Sequence, residues 1–326
     1  MFFKKKLKRI GFIFQNSGSY YNAMASTRLR CFDIINFFKN SKIYIVSEYS
    51  EKEYFDIVIF QKCFSENDYN LANKLKNIGV KIILDINVNY IENYGNILDV
   101  VNDNHRRNIE KMLELVDYVI TSSEKLEEIY SKHHKKVFCI EENVQNNFFK
   151  KRKIHKGNDE ATLVYCGFSA KAKELYLIAD VLKRLLCEYR IKLLFISEQD
   201  PKIDIIPYEF IKYKQQELPK QLLCGDIKLA PRILDNSYNI GHSFTKVAYP
   251  MSVGLPVVAS PVPSYINRNV LICSNNDEWY EVLKKLITDC RLRNYYGRIG
   301  QEFVRNNFSI EKIGMQYKEL FDYILT

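Results

Sequence analysis

The chain has 326 residues, about twice the usual domain length of roughly 100–200, which favours two domains over one. Apolar residues at 47% against 27% charged, with only 12 Gly and 8 Pro, exclude a disordered tail and a small stapled scaffold. The net charge of +9 admits a polyanion, an anionic membrane face or a phosphate-bearing small molecule as partner, and by itself selects none of them.

From the start of the chain, Met1–Lys6 is basic, but the apolar run Ile10–Phe14 after it is too short for a signal sequence. No apolar run reaches the roughly 20 residues that cross a bilayer. The expectation is a soluble cytoplasmic protein. The eight cysteines are scattered, with no C-x-x-C pair and no metal-ligand spacing, and read as reduced, mostly buried thiols.

Short β-rich runs then alternate with amphipathic stretches: Arg9–Phe14, Lys42–Ser47, Asp56–Gln61, Lys81–Ile86, Tyr118–Ser123 and Lys136–Glu141. The intervening segments are long enough for crossover helices, so these runs predict a parallel, doubly wound sheet. Around Lys150–Asp159, charge and turn formers replace the apolar pattern. A nucleic-acid patch is one reading of this basic run; a solvated connector is the plainer one, and the domain boundary is placed here.

Alternation resumes with Thr162–Gly167, Leu193–Ser197, Tyr208–Tyr213, Ile227–Pro231, Pro256–Ser260 and Asn269–Ser274. Leu175, Ile178, Ala179, Leu182, Leu185 and Leu186 fall on one helical stripe expected to face that sheet. From Glu302 to Thr326 the chain reads as helical with a break at Asn306-Asn307, and its last helix is expected to return to the first domain. The predicted class is α/β, with two Rossmann-like domains facing each other across a cleft. Residues 1–150 form the first, completed by a helix over 309–326, and residues 151–308 form the second.

In open α/β sheets ligands bind at the carboxyl ends of strands, where helix N-termini attract anions. Two loops of the second domain carry suitable residues. In Cys166–Leu175, Gly167 lets the backbone approach a ligand, and Ser169, Lys171 and Lys173 follow at a helix start. In Asn239–Ser260, Gly241, Ser243 and Thr245 precede Lys246, a cation placed against the helix dipole, which suggests an anion between them. Each loop also reads as an ordinary turn with solvent-facing lysines. In the first domain, Asn16, Ser17 and Gly18 follow the first strand with Arg28 behind them, suited to an acceptor phosphate. Asp85 ends a strand, where it suits either a sugar hydroxyl or a turn cap.

Gly225–Pro231, the Asn239-x-Gly241-x-Ser243-x-x-Lys246 segment and Gly254–Ser260 together resemble the C-terminal half of group 1 (family 4-like) GT-B glycosyltransferases. Asp56–Lys62, Val116–Ser123, Val137–Ile140 before Asn143, and Ala25–Arg30 agree more weakly with the first half. The resemblance implies a UDP- or GDP-sugar donor held by the second domain and a glycan or lipid-linked acceptor held by the first. It also implies transfer with retention, without cofactor or metal, in surface polysaccharide biosynthesis. Lys173 and Lys246 would steady the departing diphosphate as catalytic groups. Gly167, Ser169, Lys171, Asn239, Gly241, His242, Ser243, Phe244, Thr245 and Tyr249 would line the donor. Asn16, Ser17, Gly18, Arg28 and Asp85 would meet the acceptor.

The family's Glu-x₇-Glu pair falls on Gly241 and Tyr249, so recognition of the donor ribose must differ, since Tyr offers a hydroxyl but no charge. A second reading therefore stays open: a catalytically inactive sugar-nucleotide or glycan-binding subunit of the same fold. Peripheral contact with the anionic inner face of the membrane fits both readings. A nucleic-acid partner is not expected, because the 23 Tyr and 20 Phe fall largely within predicted core runs.

Overall fold

The structure is a computed structural model that describes residues 7–15, 19–39, 41–92, 103–157 and 160–326. It contains two six-stranded sheets, parallel throughout. The first comprises β1 (Lys8–Phe14), β2 (Tyr44–Glu48), β3 (Ile57–Gln61), β4 (Lys81–Ile86), β5 (Tyr118–Thr121) and β6 (Val137–Cys139), in the order β2-β1-β3-β4-β5-β6. The second comprises β7 (Glu160–Cys166), β8 (Arg190–Ser197), β9 (Tyr208–Lys212), β10 (Ile227–Ala230), β11 (Val257–Ala259) and β12 (Leu271–Ile272). Its order, β12-β11-β10-β7-β8-β9, is the Rossmann order. Every residue of β3 and of β10 is buried, as expected of strands covered by helices on both faces.

Two local expectations need correction, and the connector gains a detail. The stripe after β7 is not one helix: a 3-10 segment, Ser169–Ile178, precedes the α-helix Ala179–Glu188, and Leu186 points outward. The connector is exposed over Lys150, Lys151, Arg152, Ile154, Lys156 and Gly157, as a solvated linker is, and is pinned at His155. His155 is buried, with Nδ1 at 3.2 Å from Asp226 and Nε2 at 3.1 Å from the Gly254 carbonyl, and the Lys153 amide donates to Val253. Gly254 has φ +85°, and a Cβ there would sit 2.4 Å from Arg152 Cγ, so the connector packs where only glycine fits. Asn158 and Asp159 lie outside the described residues. The helical break falls at Ser309, between Cys290–Phe308 and Ile310–Leu325, where Val144 donates its amide to the Phe308 carbonyl. Ile313, Tyr317, Leu320 and Phe321 of the last helix pack with Ile10, Phe12 and Phe38 beneath the first sheet.

Segments that follow strand ends meet between the sheets. Ser123, after β5, donates to the Gly241 carbonyl (3.0 Å), and Arg28 donates to Gln215, after β9 (2.9 Å). Arg268 forms two 2.8 Å bonds to Glu141. Among the described residues, no helix is long and apolar enough to cross a membrane.

Candidate functional site

In the Rossmann order, neighbouring strands β7 and β10 send their following loops in opposite directions, which opens a crevice at their carboxyl ends. Lys171 follows β7 and Arg232 follows β10, so both reach that crevice. Lys228 projects from β10 itself, and Lys246 lies in the first turn of the helix Thr245–Ser252. Glu174 is the carboxylate at their centre. It is fully buried, pairs with the Arg232 guanidinium and accepts from Asn239 Nδ2 at 2.9 Å.

Lys171 Nζ lies 3.1 Å from His242 Nε2 and 4.2 Å from the Tyr238 ring centre. Lys228 Nζ donates to the Leu229 carbonyl at 2.8 Å and lies 4.9 Å from the Tyr165 ring centre. Burial lowers the Lys171 ammonium to about 7, with Arg232 adding to the effect and Glu174 opposing it. Burial likewise lowers Lys228 to about 8. Lys246 is pushed well below the ordinary lysine range, first by burial and then by Arg232 and Lys171. Burial, then Lys246 and Lys171, push the His242 imidazole well below its ordinary range, and its Nε2 accepts from Lys171 wherever that ammonium is charged. Four basic side chains thus surround one carboxylate.

Several residues expected at the donor are otherwise engaged. Lys173 is exposed, whereas Lys171 is buried. The 3-10 geometry of Ser169–Ile178 explains this, because side chains three apart eclipse. Lys171 and Glu174 share an inward column; Lys173 and Tyr176 share an outward one. Ser169 gives its hydroxyl (2.7 Å) and its amide to Glu198, and the Gly167 amide donates to Ile196. Asn239 is buried and braces Glu174 and the Ile233 carbonyl. Phe244 has no exposure and packs on Phe308 at 4.7 Å, a core residue and not a ligand contact.

Ser243 and Thr245 do not stand free at the helix start; both hydroxyls donate to Glu142 of the first domain, at 2.7 and 2.5 Å. Gly241 contributes its carbonyl to Ser123. Tyr249 stacks on Phe148 at 4.4 Å and donates to Gln145 Oε1 at 3.3 Å.

On the acceptor side, Asp85 is fully buried in an ion pair with Arg30 at 2.6 Å and accepts from the Tyr317 hydroxyl at 3.2 Å, so it is closed to a sugar. Arg28 is buried too, donating to the Ala23 carbonyl and to Gln215, and it bridges the sheets instead of presenting a free cation to a phosphate. Asn16, Ser17 and Gly18 lie outside the described residues.

Sequence reasoning missed Arg232, Lys228, Glu174 and Glu142. A signal existed for two of them: Lys228 interrupts an otherwise apolar strand, and Arg232 stands one residue beyond Pro231 at that strand's end.

Two facing parallel sheets, the second in Rossmann order, with their polar loops meeting between them, define the GT-B fold of glycosyltransferases. The chain is similar in structure to a glycosyltransferase from Rickettsia africae ESF-5, with TM-score 0.69 and 11% identity over 98% of this chain and 99% of that one. It is also similar to HepE of Anabaena, solved in complex with UDP-glucose, with TM-score 0.68 and 11% identity over 97% and 99% of the two chains. An α-glucosyltransferase solved with UDP and a 13-mer DNA matches with TM-score 0.60 and 13% identity over 98% and 99%. No protein-family model and no curated protein matches the chain.

Proposed function

We propose that this protein is a glycosyltransferase that moves a sugar from a UDP- or GDP-sugar to a glycan or lipid-linked acceptor. The observation that carries the reading is the charge imbalance at the β7/β10 crevice, where Lys171, Lys228, Arg232 and Lys246 face the single carboxylate Glu174. Buried cations repel one another unless an anion joins them, and a diphosphate brings the charge this crevice lacks. The same groups would stabilise the charge that grows on the diphosphate as the glycosidic bond breaks, without a metal. In this reading Lys171, beside Lys246, takes the part that the family resemblance implied for Lys173. Retention through front-face attack, with the departing phosphate accepting the acceptor's proton, belongs to the proposal. So does the division into an acceptor domain over 1–150, completed by 309–326, and a donor domain over 151–308.

The GT-B chain solved with UDP-glucose supports the choice of donor class. Thermal stabilisation by UDP or GDP, together with slow hydrolysis of a matching sugar nucleotide, tests the reading. Loss of both in Lys246→Ala is expected, and stabilisation by neither nucleotide would overturn it.

Tyr249 favours a second reading. Its hydroxyl is occupied by Gln145 and its ring is stacked, so a donor ribose meets no free carboxylate at that position. Nucleotide stabilisation without turnover would select a binding subunit over an enzyme. We further propose a cytoplasmic protein that touches anionic lipid peripherally and has no nucleic-acid partner, although one neighbour in fold was solved with DNA. Co-sedimentation with anionic vesicles and weak retention on duplex DNA are the expected outcomes.

A further inference from the structure

A second cavity, about 520 Å³, opens beside Tyr249, and its chemistry is unlike that of the cation cluster. Tyr20, Tyr21, Asp33, Asn36, Gln145 and Gln215 line it together with two further amides, and among the described residues no lysine or arginine does. The nearest cation, Arg28, lies behind the wall and is engaged by Gln215 and the Ala23 carbonyl, so the described lining itself offers a phosphate a carboxylate and no free counter-charge. Hydroxyl groups do find partners: each amide offers a donor and an acceptor within one planar group, and the carboxylate adds acceptors. Tyr21, 56% exposed, packs edge-on against Tyr20 at 5.2 Å and presents an aromatic surface suited to the C–H face of a pyranose.

The polar groups are held in place before any ligand arrives. Asp33 is buried and accepts from the Tyr20 hydroxyl at 2.9 Å and from Gln145 Nε2 at 3.0 Å. It opens the helix Asp33–Lys39 directly after a single π turn, Arg28–Phe32, an irregularity often found at functional sites. Gln145 Oε1 accepts from Tyr249, which lies one turn beyond Lys246 on the same helix. Arg28 fixes Gln215, another lining residue, at 2.9 Å. Tyr249 thus links the cavity to the donor-side helix.

We propose that this cavity binds the terminal sugar of an uncharged oligosaccharide acceptor. Sugar recognition follows from the lining alone, while the acceptor role rests on the glycosyl-transfer reading. In that role an acceptor hydroxyl oxygen bonds to the anomeric carbon as the bond from that carbon to the diphosphate oxygen breaks. The hydroxyl proton leaves with the diphosphate.

The test is a glycan microarray probed with the full chain, alongside thermal shifts with UDP and GDP. Wild type is expected to retain neutral oligosaccharides. Tyr21→Ala and Asp33→Asn should each lower retention by about tenfold or more, as loss of a central aromatic or polar anchor does. Because Asp33 is buried, the half-exposed Tyr21 keeps the test sound if Asp33→Asn folds poorly. No neutral glycan retained, retention of charged glycans only, or retention unchanged in Tyr21→Ala overturns the proposal. So does a Tyr21→Ala protein that has lost its nucleotide shift, since the cavity would then hold the nucleobase. Glycan retention without any nucleotide shift supports the sugar cavity and overturns the donor reading alone.

Discussion

The two domains handle buried charge in opposite ways. In the first, Arg30 and Asp85 have no solvent exposure and meet at 2.6 Å, with the Ile140 carbonyl accepting from Arg30 and Tyr317 donating to Asp85. Each charge has its partner, and the network ties β4, the strand end after β6, the π turn and the last helix together. In the second, Glu174 faces Arg232, Lys171, Lys228 and Lys246. A matched buried pair joins elements of a fold, whereas an unmatched cluster raises the energy of the folded state and is tolerated where a ligand completes it. The comparison separates Asp85, which sequence reasoning placed at the acceptor, from Lys171, which it ranked below Lys173.

The comparison is broken most directly by removing one charge from each region. Asp85→Ala leaves the Arg30 guanidinium buried without its carboxylate and is expected to cost about 3–5 kcal/mol of stability, read from the urea midpoint. Lys246→Met removes a repelled ammonium and is expected to leave the midpoint unchanged or higher while abolishing stabilisation by UDP or GDP. If both substitutions destabilise the protein equally, the cluster in the second domain is structural and the site assignment fails.

A pH series sharpens the same contrast. Lys171 and Lys228 titrate in the folded protein at about 7 and about 8, against about 10.4 in an unfolded chain. Below pH 7 both states hold these protons, so the full cost of burying charge is present. Between about 7 and 10 the unfolded chain binds more protons, and stability should rise with pH. Lys171→Met should flatten the lower part of that rise in denaturant midpoints. Nucleotide affinity should run the other way, because a diphosphate favours the charged ammonium groups. Binding then takes up protons and weakens above pH 7, which calorimetry in buffers of different ionisation enthalpy would detect.

Legibility in the sequence follows the same division. All twelve strands could be located, since runs such as Ile57-Val58-Ile59-Phe60 are apolar on both faces and have few alternatives. The loops carrying the basic residues were found as well, because Gly and Lys at strand ends are conspicuous. Which lysine turns inward was not legible. That depends on whether Ser169–Ile178 winds with three residues per turn or with 3.6, a choice that apolar spacing over ten residues does not make. Arg30 with Asp85, and Glu142 with Ser243 and Thr245, pair across 55 and about a hundred residues of sequence, and no local pattern announces such partners.

The smallest expected effect is the most pointed control. Lys173 stands two residues from Lys171, carries the same charge and is exposed on the outward column of the 3-10 segment. Lys173→Ala should change stability by no more than about 0.5 kcal/mol, as surface substitutions do, and should leave the UDP or GDP shift intact while Lys171→Ala removes it. Long-range attraction alone would make the two lysines nearly equivalent at low salt, so the pair is best compared near physiological ionic strength, where the Debye length is about 8 Å. Equal losses from both substitutions under those conditions would mean that the segment rewinds when nucleotide binds and brings Lys173 inward. The difference between the two lysines would then belong to the ligand-free state, and the contrast between the domains would have to be drawn again with the donor in place.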